Sequence, residues 1–207
     1  MPLQNRVNPK GEIVFSSSRG RLMGNRGCLH DSAQRIVRAT KTNRWISCVL
    51  DPKFGKRPLM SGTNYTELFF LDETTALAAG HRPCYTCRYK RYKEFTTLWA
   101  EVHNLDKCDQ ATMDKALHAE RIDANGGKVT FNESIDALPN GTCIELGDDW
   151  HLVWGDKLLR WSFEGYKGVQ ARPSGTDVTV LTPRSIVAVL RAGYVPALHP
   201  TAEAYLA

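Results

Sequence analysis

Along the first seventy residues apolar positions come in short stretches broken by glycine, serine and asparagine. Glu12–Phe15 alternates briefly and is stopped by Ser16–Gly20. Cys28–His30 and Arg35–Val37 flank Asp31–Gln34, a spacing that predicts a hairpin connection. Trp45–Leu50 and Tyr65–Leu71 are dense in apolar, aromatic and β-branched residues and predict strands. The period then changes. Asp72 is placed to cap a short helix over Thr74–Ala79, with Glu73 putting negative charge in its first turn and Gly80 at its C-terminal stop. After Pro83, Tyr85, Tyr89, Tyr92, Phe95, Trp99 and Val102 recur every three or four residues, which predicts a longer helix with one core-facing stripe. Ala111–Ile122 predicts another helix, and Asn125-Gly126-Gly127 breaks the chain after it.

Beyond that break, Thr142–Leu146, His151–Trp154, Lys157–Trp161 and Val178–Leu181 read as strands separated by Asn-Gly, Gly-Asp and Pro/Ser/Gly turns. Thr182 and Pro183 predict the start of a closing helix that Gly193 ends. The pattern as a whole is α+β. It divides into a region of short strands and two helices over 1–105, a helical connector over 106–127, and a β-rich C-terminal region with a closing helix over 128–207.

Charge sharpens this division. Residues 1–100 hold 17 Lys and Arg against 7 Asp and Glu, whereas the remaining residues hold 10 against 15. A basic field of this kind attracts phosphate, so the first half is a candidate surface for nucleic acid, expected to be DNA. The acidic half is a candidate surface for a basic protein partner. The 207 residues are 42% hydrophobic and 24% charged, which excludes a disordered or collagen-like chain. No apolar run approaches the roughly 20 residues of a membrane helix, and the opening residues lack the apolar segment of a secretory signal. A cytoplasmic protein with no membrane contact is expected.

Six cysteines in such a chain point to metal before disulfides. Cys84-Tyr85-Thr86-Cys87 is the sharpest signal, because two thiols three residues apart at the entrance to a helix can grip one zinc ion. A tetrahedral site needs two further donors, and Cys48 with either His30 or Cys28 is the expected completion. Arg82, Arg88 and Lys90 stand close in sequence, where they would offset thiolate charge.

The run Phe69–Arg88, ending Gly80-His81-Arg82-Pro83-Cys84-Tyr85-Thr86-Cys87-Arg88, resembles the second half of the zinc-binding domain of Ada-type DNA methyl-phosphotriester repair proteins. That family shows a strand, a short Ala-rich helix and then Gly-aromatic-Arg-Pro-Cys-x-x-Cys-Arg, and here His81 takes the aromatic place. The resemblance implies zinc at Cys84 and Cys87 and a DNA-related setting. It does not extend to methyl transfer, because this chain lacks the Cys-x-x-x-Cys pair that supplies that family's other ligands. The Gly24–Asp31 and Thr66–Cys84 runs also resemble a bacterial protein family, a second likeness that implies no activity.

Other basic residues fit the same picture. Arg19, Arg21 and Arg26 lie in a Gly/Arg loop that brings amides and guanidinium groups up to phosphate. Arg44, Arg82, Arg88, Lys90 and Arg91 complete the candidate contact set, and Lys53, Lys56 and Arg57 continue the basic character. Trp45, Phe54, Tyr85 and Tyr89 among them suit base stacking, with core packing as the competing role. Asp114 and His118 share a helix face and would orient an imidazole, with a surface helix pair as the competing reading. Trp150, Trp154, Trp161 and Tyr166 fit either a pocket or the core of a small β-barrel or sandwich. Three functions follow: a zinc-dependent nucleic-acid-binding protein; an enzyme acting on nucleic acid through a zinc-bound thiolate or a zinc-activated water; and a zinc-stabilised interaction module.

Overall fold

The computed structural model describes residues 2–50 and 58–206. Lys53, Phe54, Lys56 and Arg57 lie outside the described residues. The class is α+β, built on two six-stranded sheets.

The first sheet takes β1 (Gln4–Val7), β2 (Ile13–Phe15), β3 (Leu22–Asn25), β4 (Ile46–Val49), β5 (Leu68–Phe70) and β6 (Arg82–Pro83) in the order β2-β1-β5-β3-β4-β6. β3 is a correction to the sequence reading. The Gly/Arg stretch forms a strand between β5 and β4, with Leu22 opposite Phe70 on one side and Val49 on the other. Gly24 disguises it. A Cβ at Gly24 would stand 2.2 Å from the Phe70 ring, so the strand admits no side chain there. Gly24→Ala is expected to cost about 2 kcal/mol through overpacking against a ring with no exposure, read as a lower urea midpoint with an unchanged slope.

Asp72 caps α1 (Glu73–Ala78) as expected, its carboxylate accepting from the Thr75 N–H at 2.9 Å, and Gly80 ends the helix with φ +81°. The longer helix, α2, spans Tyr89–Val102, so it starts four residues after Tyr85. Residues 85–88 instead form a turn. Tyr85 and Tyr89 are consequently exposed, and only Tyr92, Phe95 and Trp99 of the expected stripe are buried. α3 (Gln110–Arg121) follows, capped by Asp109.

The second sheet holds β7 (Phe131–Ser134), β8 (Cys143–Leu146), β9 (Asp149–Trp154), β10 (Lys157–Arg160), β11 (Val169–Ala171) and β12 (Asp177–Val180) in the order β11-β10-β9-β8-β12-β7. Every pairing in it is antiparallel, and β7 and β11 stand at its two edges. α4 (Arg184–Arg191) follows, with Pro183 at its N-cap rather than its first turn. α5 (Glu203–Leu206) closes the chain.

Two buried clusters join the halves. Phe95, Trp99, Met113 and Leu117 of α2 and α3 pack on Ile186, Val189 and Leu190 of α4 and on Tyr194. Leu71 and Ala78 pack with Leu152, Leu159, Trp161 and Tyr166. Trp161 Nε1 donates to Thr75 Oγ1 at 2.9 Å and the Tyr166 hydroxyl to Asp72 at 2.8 Å, so these aromatics anchor the second sheet to α1. No helix among the described residues is long and apolar enough to cross a membrane.

Candidate metal centre

Register places the thiols. β4 runs parallel to β6, with Ile46 beside Arg82 and Ser47 beside Pro83. The Arg82 N–H donates to the Trp45 carbonyl at 3.2 Å and the Cys84 N–H to the Ser47 carbonyl at 2.9 Å. Cys48, one residue further along β4, therefore faces the start of the Cys84–Cys87 turn. The Sγ atoms of Cys48, Cys84 and Cys87 all lie within 4.8 Å of one another. Thiolates around a tetrahedral zinc with Zn–S bonds of about 2.3 Å stand roughly 3.8 Å apart, a spacing compatible with three sulfurs all within 4.8 Å of one another. Three soft donors of this kind suit zinc or another thiophilic metal.

Hydrogen bonding prepares the site. The Cys48 thiol donates to Cys84, and the amides of Cys87 and Thr86 donate to the same sulfur. Together they outweigh burial and bring the Cys84 thiol down to about 4. Cys48 moves the other way, first because it is the donor to Cys84 and then because it is buried beside two sulfurs. Burial raises Cys87 as well, against the Val49 amide that donates to it. These contacts favour the thiolate at Cys84, and an ion held by all three sulfurs would displace their remaining protons.

Neither Cys28 nor His30 joins the triplet. The Cys28 thiol points to the His30 carbonyl at 3.6 Å. The His30 ring is engaged by Thr66 Oγ1 at 2.7 Å and the Gly62 carbonyl at 3.2 Å. His30 also pairs with Ile36 in an isolated antiparallel bridge. Among the described residues the protein supplies three metal donors.

Beside Cys84 opens a cleft of about 480 Å³ lined by Asn25, Arg44, Asn64, Tyr85, Thr86 and Gln110 among others. No family model, curated protein or solved structure matches this chain.

The candidate contact residues separate into two groups. Arg19, Arg21, Arg44 and Lys90 are exposed. Arg21 precedes Leu22, which pairs with Val49 next to Cys48, so it lies toward the metal end of the sheet. Arg26, Arg82 and Arg88 turn inward, and Arg91 is half-buried. Arg82 forks onto Asp114 with two bonds of 2.8 Å, which engages the carboxylate expected to orient His118. Arg88 donates to Glu73 at 2.6 Å and to Ser47 at 2.8 Å. Arg91 donates to Glu73, Glu94 and the Val195 carbonyl. Arg26 is buried against His81 and the Gly11 carbonyl. Arg121 and Lys128, which the fold brings to Arg26 from distant segments, carry no local pattern in the sequence that marks either one.

Proposed function

We propose that the protein is a zinc-dependent nucleic-acid-binding protein, acting on DNA in the cytoplasm, with zinc held by Cys48, Cys84 and Cys87. The observation that carries this reading is the thiol triplet itself, shared between a sheet strand and a turn that exposes Tyr85 and Thr86 and leads to the exposed Lys90 of α2. When bound, zinc supplies cross-linking of β4 to the turn and neutralises thiolate charge. Arg44 and Lys90 flank the turn, and Arg19 and Arg21 extend the cationic face along the sheet end. Their role is to meet phosphates. Tyr85 and Tyr89 stand exposed beside them, with ring centroids 5.4 Å apart in an edge-on arrangement, and offer stacking faces to unpaired bases.

If four phosphates are contacted, affinity for duplex DNA should fall about 100-fold between 50 and 200 mM salt. Arg44→Ala with Lys90→Ala should flatten that slope, and chelation should weaken binding throughout. A filter or anisotropy titration at the two salt concentrations decides the matter: absent or salt-independent binding overturns the reading. Three protein donors also support a second reading, an enzyme acting on nucleic acid, because catalytic zinc keeps one position free of protein. Intact-mass analysis after incubation with DNA carrying methyl phosphotriesters separates the two. Gain of a methyl group on a cysteine, or cleavage of the DNA by the zinc-loaded protein, favours the enzyme, and an unchanged mass with intact DNA favours binding alone.

A further inference from the structure

A second site lies at the opposite end of β4, in a cleft of about 350 Å³ walled by Ile13, Ile36, Trp45 and Ile122. Its floor is cationic. Arg26 arrives from the residue after β3, Arg121 from the last turn of α3, and Lys128 from beyond the Gly126-Gly127 break; all three line the cleft. Arg26 and Arg121 are each 2% exposed. Both guanidiniums lie over the Trp45 ring, at 3.9 and 4.3 Å from its centroid.

No carboxylate forms an ion pair with any of the three among the described residues. Backbone carbonyls stand in instead. Arg26 donates to Gly11 O at 2.9 Å, Arg121 to Gly80 O at 2.8 Å and to Asn43 O, and Lys128 to Ala78 O at 2.5 Å. The Arg121 Nε–H is buried with no partner. Asp114, the nearby acid, is taken up by Arg82. At the rim, Glu12 accepts from the Asn8 amide at 2.7 Å, and Lys10 pairs with Glu145 at 2.5 Å.

Buried charge without a counter-ion is costly. The cost shows in the acidities. Burial, and then repulsion by Arg121, brings Arg26 down to about 9. Burial brings Arg121 to about 9 as well. Burial and the neighbouring arginines bring Lys128 to about 7. His81, hydrogen-bonded to Arg26 at 3.1 Å, is held neutral by burial and the same arginines, so it adds no charge.

We infer that this cleft binds the phosphate group of a small phosphorylated organic molecule, with the phosphate on Arg26, Arg121 and Lys128 and an apolar or planar body against Ile13, Ile36 and Ile122. Arginine forks match tetrahedral oxyanions with paired hydrogen bonds. The volume falls within the roughly 300–1,000 Å³ of small-molecule sites and exceeds what a bare ion needs. The site is separate from the thiol triplet and stands whether or not the protein binds DNA.

Calorimetry at constant ionic strength tests it with three probes: inorganic phosphate, adenosine monophosphate and adenosine. Saturable one-to-one binding of the monophosphate is expected, at least 10-fold tighter than inorganic phosphate, with adenosine weaker than either. Lys128→Met separates a ligand site from a structural one. It removes one of three mutually repelling cations, so the unliganded protein should melt no lower than wild type, while monophosphate affinity drops at least 10-fold. The exposed Lys107→Met should leave affinity unchanged. Absence of monophosphate and phosphate binding, binding of adenosine alone, or a Lys128→Met protein that melts lower and binds as well as wild type overturns the inference.

Discussion

Protein stripped of zinc by chelation is expected to melt roughly 8–16 °C below the loaded form. Zinc at 1,000 times its dissociation constant stabilises a folded site by about 4 kcal/mol, and a chain of this size shifts about 2–4 °C per kcal/mol. Zinc retained by Cys84 and Cys87 in the unfolded chain would reduce the difference. The donors come from two segments separated by 35 residues between Cys48 and Cys84, so a bound ion would close a loop that folding must otherwise close alone. Cys84→Ser should abolish stoichiometric zinc, because it removes one of only three donors brought together among the described residues. Cys28→Ser should leave one zinc per chain, since that thiol lies outside the triplet. Elemental analysis with a thermal scan reads both. A metal-free wild type, or loss of zinc on Cys28→Ser, would falsify the three-cysteine assignment.

Much of this centre is legible in the chain before folding. The Asp72 cap, the Gly80 stop, Pro83 and the Cys84-x-x-Cys87 spacing are local, and each acts through its own few residues. Choosing among Cys48, Cys28 and His30 is not local. It depends on β4 lying parallel to β6, a register set by strands up to 36 residues apart. β3 is hidden for a related reason. Leu22-Met23-Gly24-Asn25 looks like a turn, and only the Phe70 ring across the sheet explains the glycine. The arginines are the hardest to read. Whether Arg82 or Arg88 faces solvent depends on Asp114 and Glu73 arriving from other elements, and composition carries no trace of that. A basic first half therefore overstates the cationic surface.

Glu73→Gln is expected to destabilise the fold by about 3–5 kcal/mol, the usual cost of removing one partner from a buried ion pair. Glu73 is 1% exposed at the first turn of α1. One carboxylate oxygen accepts from Arg88 and from the Tyr194 hydroxyl, each at 2.6 Å. The other accepts from Arg91 at 3.1 Å and from the Ala197 N–H at 2.9 Å. This single side chain thus ties the metal turn, α2 and the segment after α4 together. The amide of glutamine keeps the size but leaves Arg88, itself 9% exposed, without a counter-charge. Burial alone would raise the Glu73 carboxyl, yet Arg88, the Ala197 amide and Tyr194 outweigh it and hold it below the ordinary range. A lowered folded-state pKa means the carboxylate's stabilisation is complete above the unfolded value of about 4.3 and fades as pH falls through the folded one. The difference in urea midpoint between wild type and Glu73→Gln should accordingly be constant near neutrality and shrink below about pH 4. Replacing Glu73 and Arg88 together by methionine should recover part of the loss, since no charge is then left unpaired between them. A gap that persists unchanged into acid would show that Glu73 acts by packing and not by charge.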